Sequence, residues 1–244
     1  MDVTKTTYST IARLRTEFLR ENNIQFVLDK CYRYDWADAY AFRIDGRLVG
    51  YGAVWGKEKR EDRDAIFEFY LEEDDRALAE PFFRAFCHAS QASYVECQSN
   101  DRSLYPMFER FTENVETDAI LFADHHETHF QIENTALLPR QQPNPDDCHY
   151  VLASQGEEIG EGGFMLNYNF PYADIYYNIH EAHRRKGFGS FFVQELKKEI
   201  YALGRVPAAR CNTSNVISKA TLSKAGMVVC GLRLSADLRR QPEE

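Results

Sequence analysis

The stretch that decides the fold reads Arg184-Arg185-Lys186-Gly187-Phe188-Gly189-Ser190. In front of it stands a β-rich run, Ala173 to Ile179 (ADIYYNI). Behind it, Phe188, Phe191, Phe192, Leu196, Ile200 and Leu203 recur at helical spacing. Two glycines and three cations therefore sit where a strand turns into a helix. The first turn of a helix carries amide N–H groups without intrahelical partners, and the helix dipole is positive there. Glycines let a backbone close on a ligand with no Cβ in the way. A Gly-x-Gly alone also makes a plain tight turn, and a basic triplet alone is a solvated surface. Strand, glycine loop, cations and helix in this order describe a cradle for a pyrophosphate.

A second pattern lies downstream: Asn215 and Ser218, then Leu222, Lys224, Ala225, Gly226 and Met227. Arg-x-x-Gly-x-Gly at 184–189, between a strand and a helix, resembles the acyl-CoA-binding motif of the GNAT superfamily of N-acetyltransferases. The downstream residues are similar to that family's fourth-helix pattern, and the resemblance covers about residues 148–235. It implies an α/β (α+β) fold of mixed, mostly antiparallel sheets with flanking helices. It implies acetyl-CoA as cosubstrate, no metal, and direct transfer of the acetyl group to a primary amine in a ternary complex. The alternative is a non-catalytic module that holds acyl-CoA as a sensor or scaffold.

The same resemblance assigns roles. Backbone amides of Arg184, Arg185, Lys186, Gly187, Phe188, Gly189 and Ser190 hold the pyrophosphate. The strand end at Ile179 pairs with the pantetheine arm as another strand would. Asn215 either faces the CoA arm or caps the following helix. The family often places a thiolate-protonating Tyr where this chain has Leu222, which has no proton to give; either Tyr176, Tyr177 or Tyr201 nearby substitutes for it, or the thiolate leaves unassisted. Asp174 and Glu161 are the candidate bases, set against the plain reading of both as solvated carboxylates. Family members carry a bulge in the strand of Asp174, which switches which face each residue takes. His180 and His183 precede the cradle and read as exposed loop residues. His125-His126-Glu127-Thr128-His129 is not His-Glu-x-x-His, because position 130 is Phe130, so no metal is assigned there.

Composition narrows the function classes. The 244 residues carry a formal charge of −9 and are 44% hydrophobic, with 17 Phe and 14 Tyr. That is enough for a substantial core in one large or two small domains. A nucleic-acid binder would more often be basic, and an acidic surface suits a cationic amine. Cys31, Cys87, Cys97, Cys148, Cys211 and Cys230 form no C-x-x-C pair, so reduced thiols in a cytoplasmic protein are expected. No apolar window reaches membrane-span length, and no membrane partner is expected.

The chain also repeats itself. Tyr40, Gly46, Gly50 and Gly52 each precede Tyr150, Gly156, Gly160 and Gly162 by 110 positions. Asn100 and Ser103 precede Asn215 and Ser218 by 115. These offsets predict a duplicated β-β-β-α-β-α-β unit: a degenerate N-terminal copy over 1–124 and an acetyl-CoA-binding copy over 125–244, as a tandem fold. Asp45-Gly46 between two β-rich runs marks a hairpin. Residues 1–8 read as frayed, 128–133 as the first strand of the second copy, and the segment around Pro139, Pro143 and Pro145 as a link replacing the helices of the first copy. Where the second copy has its cradle, the first has Leu71-Glu72-Glu73-Asp74-Asp75-Arg76-Ala77, glycine-free and acidic, so it is not expected to hold CoA. The acceptor is expected to be a small-molecule or peptide amine, and the protein a monomer with pseudo-dimeric halves or a weak homodimer.

Overall fold

The computed structural model describes residues 1–26 and 28–239. It falls into two compact units: described residues 1–24, 28–118 and 232–239 form the first, and 25–26 with 119–231 the second. Among the described residues no helix is long and apolar enough to cross a membrane.

The first unit runs β1 (Asp2–Thr6), α1 (Tyr8–Glu21), α2 (Leu28–Arg33), β2 (Ala37–Ile44), β3 (Arg47–Trp55), β4 (Ala65–Leu71), a 3-10 turn (Glu73–Leu78), α3 (Ala79–Ser90), β5 (Tyr94–Gln98), α4 (Tyr105–Phe111) and the start of β6 (Thr112–Asp124). Its strand order is β1-β2-β3-β4-β5, and β5 is then completed by the end of β12 (Met227–Leu238), with Leu234 opposite Cys97. The core is aromatic: Phe42, Phe69, Phe82, Phe83 and Phe86 are all essentially inaccessible, and Phe42 stacks on Phe82 at 5.4 Å. Each such ring contributes about 1.5–3 kcal/mol of burial. Pro81 falls in the first turn of α3, where its missing N–H breaks no hydrogen bond.

The second unit repeats the scheme with β7 (Thr135–Arg140), β8 (Asp147–Ser154), β9 (Glu157–Met165), β10 (Tyr172–Ile179), α5 (Phe188–Ala202), β11 (Val206–Cys211) and α6 (Val216–Lys224). Its order is β7-β8-β9-β10-β11, completed by the end of β6, with Ala209 opposite Phe122. The hairpins of the two units have the same register. Tyr40 faces Gly52 and Phe42 faces Gly50; Tyr150 faces Gly162 and Leu152 faces Gly160. Both hairpins slip register one step later, between Phe42 and Arg43 and between Leu152 and Ala153. Both turn through two positive-φ residues, Asp45-Gly46 (50°, 83°) and Gln155-Gly156 (54°, 84°), the backbone that two-residue hairpins require.

Three expectations are corrected. Residues 2–6 are a strand, paired with β2 from Asp2↔Arg43 to Thr6↔Ala39. The first strand of the second unit is Thr135–Arg140, not 128–133; Pro139 sits within it because an edge strand has one side without ladder partners. β10 pairs with β9 from Asp174↔Met165 to Ile179↔Gly160 without a slip, so the bulge implied by the family is absent from this strand. The corresponding irregularity occurs in the first unit instead, where β3 and β4 shift between Ala53 and Val54. The expected lack of helices between the first two strands of the second unit holds: 141–146 join β7 to β8 directly.

Candidate active site

Unbroken parity divides the side chains of β10 cleanly. Ile175, Tyr177 and Ile179 share the face of α5 and α6, while Asp174, Tyr176 and Asn178 share the opposite one. On the helical face, the Tyr177 hydroxyl lies 3.2 Å from Ser218 Oγ, and Tyr150, from the same face of β8, reaches Glu199 of α5 at 3.2 Å. The pairing of β10 with β11 ends at Ile175↔Ala209, although both strands run on, to Ile179 and Cys211. The two strands therefore part beyond Ile175 and Ala209.

The loop is shaped for an anion. Arg185 takes φ 63° and Gly187 φ 88°, left-handed conformations that cost a side chain strain and glycine almost none. This turn delivers Phe188, Gly189 and Ser190 as the head of α5, whose first amides have no acceptor within the helix. Ile179, Arg184, Arg185, Gly189 and Asn215 line one groove of about 270 Å³ with Tyr177, Asn178, Ile217, Ser218 and Thr221. Gly189 keeps the helix close to α6, since a Cβ there would stand 3.0 Å from Thr221. Two of the three cationic side chains serve the loop itself. Arg184 Nε donates to the Ile179 carbonyl at 2.8 Å, leaving that oxygen one further lone pair, and Lys186 Nζ donates to the Ala182 carbonyl at 3.0 Å. Phe188 packs edge-on against His183 and the buried Ser190 reaches the Thr221 carbonyl at 3.3 Å; these two and Gly187 shape the loop without lining the groove. Asn215 caps α6 by accepting from the Ser218 amide at 3.0 Å, so it both lines the groove and caps.

The candidate bases lie elsewhere. Asp174 is on the opposite face, buried, and its carboxylate holds Arg210 at 2.6 Å, with Arg210 also 3.8 Å over the Phe26 ring. Burial and that ion pair make it a structural anion rather than a free base. Glu161 is on the same face and half-exposed, 3.8 Å from His149 Nε2. Of the substitute acids, Tyr201 is bound to Asp124 at 2.6 Å and does not line the groove, whereas Tyr177 does. Burial pushes the Tyr177 phenol up, so it keeps its proton. Leu222 is buried. His125 and His126 tie their amides to the Gly226 carbonyl, each at 3.1 Å, and the His126 carbonyl accepts from Lys197 at 2.7 Å. That segment straps the unit together. Sequence reading missed His149, Asp147 and Arg210 altogether. Only strand register brings them together with Tyr176 and Asp174, and no local motif marks them.

A glycine loop at the head of a helix, beside two parting parallel strands, is an arrangement that can take a phosphate group. The sequence model of the acetyltransferase (GNAT) domain matches residues 83–228, which is 146 of 244 residues, and the chain belongs to this family. Solved structures agree on the fold. A GNAT-family acetyltransferase from Colwellia psychrerythraea is similar over 98% of this chain and 100% of its own, with 11% identity and a TM-score of 0.75. A GCN5-related N-acetyltransferase from Sphaerobacter thermophilus matches with a TM-score of 0.59 and 14% identity, covering 98% of this chain and 96% of its own. A tandem GNAT protein from the clavulanic acid biosynthesis pathway matches over 98% and 99%, with 12% identity and a TM-score of 0.56. No curated protein sequence matches significantly.

Proposed function

We propose that the chain is an acetyl-CoA-dependent N-acetyltransferase with one cofactor site, in its second unit, acting on a primary amine. The observation that carries this reading is the loop 184–190: a left-handed Gly187 opens α5 beside the end of β10, where Ile179, Arg184, Arg185 and Gly189 line one groove with Asn215. Pyrophosphate would take the amides at the head of α5, and pantetheine the free edge of β10 beyond Ile175. Acetyl-CoA supplies the activated acyl carbon. Tyr177, the groove's own phenol, would protonate the departing thiolate in place of the family's Tyr. The acceptor amine, from a small molecule or a peptide, would approach from the face of Tyr176. A cytoplasmic setting fits six cysteines that form no C-x-x-C pair and the CoA requirement. The buried Leu222 favours a second reading, acyl-CoA holding without turnover.

Isothermal titration with acetyl-CoA tests the site. Gly187→Glu places a carboxylate and a strained side chain in the cradle and should weaken binding at least 100-fold while the far-UV spectrum stays native. Wild-type affinity in that variant sinks the assignment. Free-thiol release across a panel of amines then separates the enzyme from the holding module, which would bind and release nothing.

A further inference from the structure

The face of the second unit opposite α5 and α6 carries a hydrogen-bonded chain that its strand register explains. Arg140 of β7, His149 of β8, Gly163 of β9 and Tyr176 of β10 are successive register partners in one row. Strands lie about 4.8 Å apart, so His149 and Tyr176 stand two strands from each other. They can meet only over a position with no side chain. Gly163 is that position, and it is obligatory: a Cβ there would lie 2.0 Å from the Cys148 carbonyl oxygen. Across it His149 Nδ1 and the Tyr176 hydroxyl come within 3.0 Å, and the hydroxyl donates to Asp147 Oδ1 at 2.5 Å.

Proton counting fixes the histidine. Tyr176 has one phenolic proton and gives it to Asp147, a carboxylate that only accepts. The phenol oxygen can then only accept from His149, so Nδ1 carries the ring proton. The neutral imidazole keeps its lone pair on Nε2. Burial, and then the bond to Asp147, push the Tyr176 phenol up and hold its proton in place. Nε2 lies 3.8 Å from the half-exposed Glu161, beyond hydrogen-bond reach. Arg140, the cation nearest in the row, is engaged with Glu158 at 2.7 Å. The groups facing the imidazole are thus two carboxylates, a phenol and a neutralised guanidinium.

We propose that His149 Nε2 is the general base of acetyl transfer, with Tyr176 and Asp147 as positioning residues that set its tautomer, and that the acceptor is a cationic amine drawn by Glu161 and Asp147. This rests on the acetyltransferase reading. The bound ammonium first gives one proton to His149 Nε2, which passes it to solvent, and the freed nitrogen lone pair attacks the thioester carbonyl carbon, forming C–N. The C–S bond breaks and its electron pair leaves on sulfur. The nitrogen's second proton passes to His149 Nε2, and the thiolate takes a proton from water or from Tyr177, which water then reprotonates. The imidazolium then returns its proton to solvent past Glu161.

Two measurements decide this. Long-range 1H–15N spectra of the resting protein at pH 8 should show His149 as the Nδ1–H tautomer, the minor form in free histidine, and Tyr176→Phe should lose it. An Nε2–H signal in the wild type overturns the proposal. In thiol-release assays with acetyl-CoA and spermidine, lysine amide or tyramine, His149→Gln should lower kcat for the best amine about 100-fold, with acetyl-CoA affinity within twofold. Tyr176→Phe should lower it about tenfold and displace the acid limb of the kcat/KM profile, which a merely structural role would leave alone. A His149→Gln variant within threefold of wild type, or one that loses CoA affinity in step, overturns the base. No release with any of these amines overturns the cationic substrate class. Failure of the cofactor reading would show separately, as undiminished CoA binding by Gly187→Glu.

Discussion

The two units share a scaffold and spend it differently. In each, an arginine five residues beyond the strand end reaches back to that strand's last carbonyl: Arg76 to Leu71 at 3.4 Å, Arg184 to Ile179 at 2.8 Å. After the arginine they diverge. The second unit has Gly187 and Gly189 where the first has Ala79 and Pro81, so the first has neither a left-handed loop nor a full set of helix-head amides. Its carboxylates are absorbed locally, Asp75 by Arg47 at 2.9 Å and Glu72 by Arg13 at 2.8 Å. The opposite faces diverge in the same sense. In the first unit Glu68 of β4, equivalent to Tyr176, is fully buried, accepting from Arg15 at 2.9 Å and from Tyr32 at 2.6 Å, with Asp29 holding the other side of Arg15 at 2.7 Å. Arg15 comes from α1 and Tyr32 from α2, helices with no counterpart among the described residues of the second unit. One unit seals the face with an ion pair. The other leaves a histidine there, with its proton placed by a phenol.

This contrast predicts where stability and activity reside. The largest effect should come from Arg15→Met, which leaves Glu68 buried with its main compensating charge removed. Burial already pushes the Glu68 carboxyl up, and breaking such a pair costs about 3–5 kcal/mol. Urea unfolding should show that loss, and Arg15→Met with Glu68→Leu should recover most of it. A loss below about 1 kcal/mol in the single variant would mean that the pair does not seal the face.

The next effect concerns the turn before α4. Asp101 is buried and its carboxylate accepts from the amides of Ser103 and Leu104 at 2.8 and 2.9 Å. Burial outweighs those bonds and raises its pKa from 3.8 to about 7. The folded chain therefore binds the proton more tightly than the unfolded one. The stability this contributes is complete below about pH 4 and is lost as pH rises toward about 7. Linkage puts the loss between pH 5 and pH 8 at about 2–3 kcal/mol. Asp101→Asn keeps an acceptor and cannot ionise, so its unfolding midpoint should stay flat over that range while the wild type's falls. Parallel profiles would show that Asp101 is ionised throughout.

What could be read in the sequence was what local chemistry writes. Gly187 and Gly189 among cations, the Asp45-Gly46 turn and the constant offset of Tyr40 and Tyr150 each carry their meaning within a few residues. The chain's long-range choices were not written that way. Pro139 looks like a link until β8 offers it an edge. Residues 2–6 look frayed until β2 pairs with them. Asp174 looks like a base until Arg210, thirty-six positions on, takes its charge. His149 and Tyr176 need three strands in register and a glycine between them before they form a site at all. The missing bulge in β10 had the same effect: it set which face Asp174 and Tyr176 occupy, and only the ladder could show it.

The smallest effect separates the two roles of Asn215 and completes the comparison of the two turns. Asn215 stands 115 positions after Asn100, yet the first unit gives the capping to Asp101, while the Asn100 side chain donates to the Asn23 carbonyl at 2.9 Å. A buried acid caps one turn and an exposed neutral amide the other. Asn215→Ala removes the acceptor of the Ser218 amide, and losing such a cap costs about 1 kcal/mol. Because the amide does not titrate, that cost should be the same at pH 5 and pH 8, unlike that of Asp101. If Asn215 only caps, acetyl-CoA affinity should stay within twofold of wild type in titrations well below the unfolding midpoint. A fivefold or greater loss of affinity with the same modest drop in stability would instead place its side chain on the CoA arm.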